Sequence, residues 1–265
     1  MKKLIIFLVL LFSIIAQHTY AQVLETEESK PLLPGQVEVG TGLEFQTSKE
    51  GTETAMPLSL EFGLAKRLTF LVEPVSFTSI RPKAGRGVTG LGDLELTLFY
   101  QLCKEKKIMP SISISAEVKL PVAKDTLIGT GKTDFSPYVI LSKTTGKFFT
   151  SLNLSYTFLG KPPGVIASNL FNYAIGTTYS VSEKSILYGE VYGNTSAFGG
   201  NDVPEGNVTG AKTTEISGGE VVTAIGYGFY LKPELLLSFG INHDNNNAFL
   251  FRPGIEWKFG GKRHS

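Results

Sequence analysis

From Leu94 to Leu102 every second residue is Leu or Tyr: Leu94, Leu96, Leu98, Tyr100 and Leu102, with Glu95, Thr97, Phe99 and Gln101 between them. Side chains alternate faces along a strand, so this spacing predicts a strand with one greasy side and one mostly polar side. The pattern returns at once, with Ile112, Ile114, Ala116, Val118 and Leu120 alternating with Ser111, Ser113, Ser115, Glu117 and Lys119. Residues Cys103 to Ile108 join the two runs as an antiparallel hairpin would. At about 3.4 Å per residue each run is long enough to cross a bilayer at a tilt.

The segment before these strands reads as export. Lys2 and Lys3 precede an apolar run from Leu4 to Ile15, and Thr19-Tyr20-Ala21 resembles a small-residue cleavage site. Residues 1–21 are therefore expected to be a secretory signal peptide, since the run is short for a spanning helix. Its removal takes the formal net charge from +1 to −1. No basic excess then favours nucleic acid, and export argues against it further. No later stretch approaches 18 consecutive apolar residues. The lone Cys103 excludes an intramolecular disulfide framework. Residues 22–34 (QVLETEESKPLLP) form a polar, Pro-containing lead-in, and residues 35–265 are expected to be one barrel.

Alternation predicts twelve strands. The first spans 36–47, with Val37, Val39, Leu43 and Phe45 on the greasy face. Greasy faces follow at Leu58 to Leu64, at Leu68 to Val72, on both hairpin strands, at Phe135 to Leu141 and at Phe148 to Phe158. Five more lie at Phe171 to Val181, Ile186 to Asn194, Val221 to Phe229, Leu235 to Ile241 and Phe249 to Phe259. Alternation is weakest at Ile186 to Asn194.

Connections alternate between generally longer loops (48–55, 80–91, 121–133, 160–168, 195–215, 243–247) and short turns. An antiparallel outer-membrane β-barrel with a polar lumen has this layout, with short turns and both termini on the periplasmic side. Loop 195–215 would then lie outside the cell. A soluble β-sandwich or lipocalin-like barrel also alternates, but turns its greasy face inward and uses strands of about 5–6 residues. The length of these strands, the export signal and the 18 Phe and 10 Tyr favour a greasy face turned to outer-membrane lipid. The last strand ends in Trp257 and Phe259, a terminal aromatic pattern of the kind read by the outer-membrane assembly machinery.

The other face carries the chemistry. Parity places Glu38, Glu44, Glu61, Glu73, Asp93, Glu95, Glu117, Asp134, Glu190, Glu220 and Glu256 inside, with Lys119, Arg252 and Lys258 as the bases. Buried charges are costly unless paired or wet, so these imply a watery lumen or a plug of ion pairs. Folding the hairpin about its turn is expected to set Glu95 by Glu117 and Asp93 by Lys119, with Glu73 and Asp134 alongside. Such a cluster either knits strands together or lines a constriction that favours cations.

The run GLGDLELTLFYQL, followed by SAEVKLPVAKD, GTGKTDFSPYVILSK and SLNLSYTFLG, resembles the meta-pathway of phenol degradation (MetA-pathway) family of outer-membrane barrels. The resemblance is carried by residues 90–165, and by pattern alone elsewhere. It implies a transporter, and a small hydrophobic or aromatic solute. Phe99 and Gln101 depart from it, standing where basic residues are common.

Catalysis would need histidine, and the mature chain has only His243 and His264, the first expected in a loop. One cysteine and two scattered histidines make no metal site. Gly85-Arg86-Gly87-Val88-Thr89-Gly90 matches a dinucleotide fingerprint but leads into a strand, where the fingerprint must open a helix. The expectation is a channel without enzymatic activity or cofactor that passes a small solute. A non-conducting structural or surface-binding barrel is the alternative.

Overall fold

The computed structural model describes residues 24–197 and 219–260. Its strands are β1 (Gln36–Gly42), β2 (Glu44–Thr47), β3 (Gly51–Ala65), β4 (Leu68–Pro82), β5 (Val88–Gly90), β6 (Leu94–Cys103) and β7 (Ser111–Leu120). They continue as β8 (Asp134–Thr145), β9 (Phe148–Thr157), β10 (Leu170–Ser180), β11 (Ser185–Asn194), β12 (Glu220–Lys232), β13 (Leu235–Asp244) and β14 (Phe249–Gly260). Each neighbouring pair is antiparallel, and β1 pairs with both β3 and β14, so the sheet closes on itself. Two wall strands are interrupted, β1/β2 at Leu43 and β5/β6 at residues 91–93, and the barrel therefore has twelve strands. Closure satisfies every edge, which is what an all-β chain needs to live in lipid. This is the fold of an outer-membrane barrel.

The greasy face points outward. On β6, Leu98, Tyr100 and Leu102 are exposed while Thr97, Phe99 and Gln101 are buried. Aromatic rings gather at both rims. At one, Phe135, Tyr156 and Phe158 pack with centroids 5.1 and 6.2 Å apart. At the other stand Phe148 with Tyr179 (4.9 Å) and Trp257 with Phe259 (5.8 Å). Such girdles mark the two membrane interfaces of a barrel. Strand β11 alternates weakly because both its faces are apolar: Leu187 and Val191 face out, while Ile186 and Tyr188 join Tyr230 and Leu236 in a cluster inside.

The structure corrects three loop boundaries. The expected loop 48–55 is the three-residue turn 48–50, because β3 begins at Gly51 and pairs with β2 from Thr52. The expected loop 80–91 is shorter, since β4 runs to Pro82 and Val88–Gly90 pairs back on it. His243 is not in a loop but on β13, facing outward with its ring 4.6 Å from Phe249. The turn follows Asp244, whose carboxylate accepts the amides of Asn246 (2.9 Å) and Ala248 (2.7 Å), with Asn247 left-handed at φ 61°. Polar strand ends and turns share a composition, so composition does not mark where one passes into the other. Most of loop 195–215 and the tail after Gly260 lie outside the described residues.

Trp257→Ala and Phe259→Ala each delete a rim ring from the final strand. Both are expected to lower the amount of heat-modifiable protein in the outer membrane, whereas deleting residues 261–265 should not. Equal yield from both aromatic variants and the parent would remove the terminal-strand argument.

Candidate functional site: the lumen

The lead-in, left open by its sequence, runs inside the barrel. Gly35 donates to the Gly63 carbonyl (2.8 Å), and Leu32 to Thr69 Oγ1 (3.0 Å). Ser29 donates its amide to Ser142 Oγ (2.9 Å), and its carbonyl accepts from Gln101 and Ser113. The Glu27 carbonyl accepts from Asn153 (3.2 Å). Thr26 and the Glu25 amide donate to Glu190, and Glu25 forms a 2.7 Å ion pair with Arg252. The segment, with Gly35 after it, thus touches β3 and β4, then β6 to β9, then β11 and β14. It is a belt laid round the inner wall.

Two glycines make room for the belt. A Cβ at Gly63 would sit 2.0 Å from the Leu33 carbonyl oxygen, and one at Gly176 would sit 2.7 Å from Thr26 Oγ1. Both lie at lumen-facing positions, so each leaves a gap that the belt fills in place of a side chain.

Beside the belt lies a cavity of about 490 Å³. Eleven acidic and three basic side chains line it, so acids outnumber bases by eight. Of the expected charge cluster, Glu73, Asp93, Glu95 and Glu117 line the cavity, while Lys119 and Asp134 do not. Lys119 Nζ lies 2.5 Å from Asp134 and 3.9 Å from Asp93. Asp134 also accepts the Gly160 amide (2.8 Å), and Asp93 that of Ala123 (3.0 Å). This half of the cluster ties wall to loops.

The register keeps Glu95 and Glu117 as diagonal neighbours across the hairpin and changes only the residue directly opposite each. Glu95 stands opposite Lys119, and Glu117 opposite Thr97. The offset arises because β6 runs on to Cys103 and β7 begins only at Ser111, so the connection spans 104–110 and the fold-back is centred later than 103–108. Glu73 does stand opposite Glu95, as expected. Glu117 accepts a hydrogen bond from Tyr138 OH (3.1 Å).

The remaining expected lumen residues divide likewise. Glu61 lines the cavity opposite Glu38, and Glu38 pairs with Lys258 (2.5 Å). Arg252 bridges Glu25 and Glu44, each at 2.7 Å. Glu256 lines the cavity, and Glu190 anchors the belt. Glu220 begins β12 opposite Asn194. Sequence reasoning missed Glu25, Glu27, Glu28 and Lys30, which reach the lumen from the belt. The signal for them was the acid-rich lead-in together with glycines at inward positions.

Outside the wall strands, Arg86 holds Asp125 through two hydrogen bonds of 2.7 and 2.8 Å, tying two loops at one mouth of the barrel. Those bonds, with the Leu127 amide, hold the Asp125 carboxyl below the usual carboxylate range. A lowered pKa contributes order that is complete above about pH 4 and is lost as the pH falls through the lowered value. Measured against an unfolded substrate cut in the same mixture, pepsin is expected to cut loop 121–133 relatively faster at about pH 2 than at about pH 4, and Asp125→Asn should abolish that relative difference. An equal ratio at both pH values in the parent would refute the tie.

The sequence profile of the family described as "Putative MetA-pathway of phenol degradation" matches residues 33–259. No curated protein matches the chain in sequence. Among solved structures, an outer membrane channel from Pseudomonas putida F1 superposes with a TM-score of 0.69 at 12% identity, covering 89% of this chain and 99% of that one. The NanC porin gives 0.56 at 10% identity, over 83% of this chain and 100% of its own. The KdgM porin, solved with disordered oligogalacturonate, gives 0.53 at 10% identity, over 84% and 99%. At such identities the likeness is one of fold.

Proposed function

Since the chain belongs to the MetA-pathway of phenol degradation family, we propose that it is an outer-membrane channel passing small solutes, with cations preferred over anions. The acid excess around the cavity is the observation that carries this reading. A ring of acids in a narrow aqueous passage attracts cations and repels anions. The fold shared with an outer membrane channel and two porins supports passage through the lumen. The family description and the apolar patch of Leu71, Phe99 and Tyr138 beside the acids support a solute with a small apolar or aromatic body.

The belt favours a second reading. A segment bonded to wall strands from β4 to β14 could close the lumen altogether, leaving a structural or surface-binding barrel. Liposome swelling separates the two. Vesicles holding the refolded protein should swell faster in lysine than in glutamate of equal osmolarity. No swelling in either would favour the closed barrel, and faster swelling in glutamate would reverse the assigned preference.

A further inference from the structure

We propose that the lumen cavity is a binding site for an amine-bearing organic cation with an apolar body; this deepens the channel reading and rests on it. The cavity, about 490 Å³, is within the size range of small-molecule sites. Its two kinds of lining divide the labour. Phe99 belongs to a buried apolar cluster against which Tyr138 packs, and Tyr138 donates to Glu117. Glu95 and Glu117 line the same cavity. An apolar surface beside carboxylates suits a molecule with a carbon body and a protonated amine.

The acids ask for an occupant. Among the described residues, Glu28, Glu95 and Glu256 form no ion pair within 4 Å. Glu256 is 3% exposed, and its Oε1 and that of Glu28 are buried without a hydrogen-bond partner. Unpaired buried carboxylate oxygens are costly, and a bound cation relieves that cost. A neutral apolar solute would leave them unpaired, and an anion would be repelled. A bare metal ion fits less well, because no group of three or more metal-ligating side chains among the described residues is placed to hold one. The charge is spread around a cavity, as an extended organic cation needs.

The test is isothermal titration of the full refolded chain in detergent with benzylamine, benzyl alcohol, benzoate and magnesium chloride in turn. Benzylamine is expected to bind saturably, at least about tenfold tighter than benzyl alcohol or benzoate, since one charge-assisted contact with desolvated carboxylates is worth that much. Combining Glu95→Gln with Glu117→Gln should weaken benzylamine about tenfold. Equal binding of the alcohol or the benzoate, binding of magnesium alone, or no benzylamine heat would each overturn the site. The parent comparisons decide this even if the variant does not fold. Conductance of the same preparation keeps the two ideas apart. Conduction without benzylamine binding removes the site and leaves the channel, whereas binding without conduction does the reverse.

Discussion

Replacing Glu73, Glu95 and Glu117 together with glutamine is expected to cut the cation-to-anion permeability ratio by about tenfold at low salt. At about 7 Å in a water-like dielectric, each unit charge shifts an ion's energy by roughly 0.6 kcal/mol, near a factor of three. Three such charges around one cavity compound to more than tenfold, and screening lowers the figure. The effect should therefore shrink as salt rises from about 0.1 M to about 1 M, where the screening length falls from roughly 10 Å to roughly 3 Å. The measurement is the reversal potential across a planar bilayer under a potassium chloride gradient. An unchanged ratio in a folded triple variant would show that these acids do not face the conducting path.

Stability should respond elsewhere. Lys119→Met strands Asp93 and Asp134 next to one another. Breaking a largely buried pair in this way typically costs about 3–5 kcal/mol. The temperature of the heat-modifiable gel shift should fall in Lys119→Met far more than in Glu117→Gln. Equal falls would mean that Glu117 is knitted into the wall as tightly as Lys119.

Removing the belt is expected to enlarge the conductance at least about twofold, because twelve strands enclose more room than eight, whose side chains alone fill the interior. Deleting residues 24–32 tests this directly. Gly63→Val tests it without shortening the chain. The added side chain meets the Leu33 carbonyl at 2.0 Å, so either the strand or the belt must move. Strand β3 is laddered to β1 and β4 on both sides, while the belt near it has the bonds from Gly35 and Leu32. At about 1 kcal/mol net per hydrogen bond, the belt is the weaker partner. Both variants should show larger or more variable single-channel steps. Parent-like steps in the deletion would mean that the belt does not limit the passage.

The wall was legible in the sequence because lipid imposes a strict rule on it. Leu98, Tyr100 and Leu102 had to recur at every second position, and parity alone put Phe99 and Glu95 on the inner side. Twelve strands followed from counting those runs. Register was not legible to the same degree, since a connection over 104–110 instead of 103–108 moves the partner of Glu95 from Glu117 to Lys119 without changing any face. The belt was least legible. Its residues have no periodicity, and its place depends on hydrogen bonds to strands up to 227 positions away, as between Glu25 and Arg252. Only the inward glycines hinted that something other than a side chain fills that space.

Whether the lumen conducts, and which sign of ion it prefers, is measured most directly by the reversal potential of the unaltered, refolded protein under a potassium chloride gradient. The account predicts discrete single-channel steps and a reversal potential on the potassium side of zero. An absence of steps, or a potential on the chloride side, would contradict it.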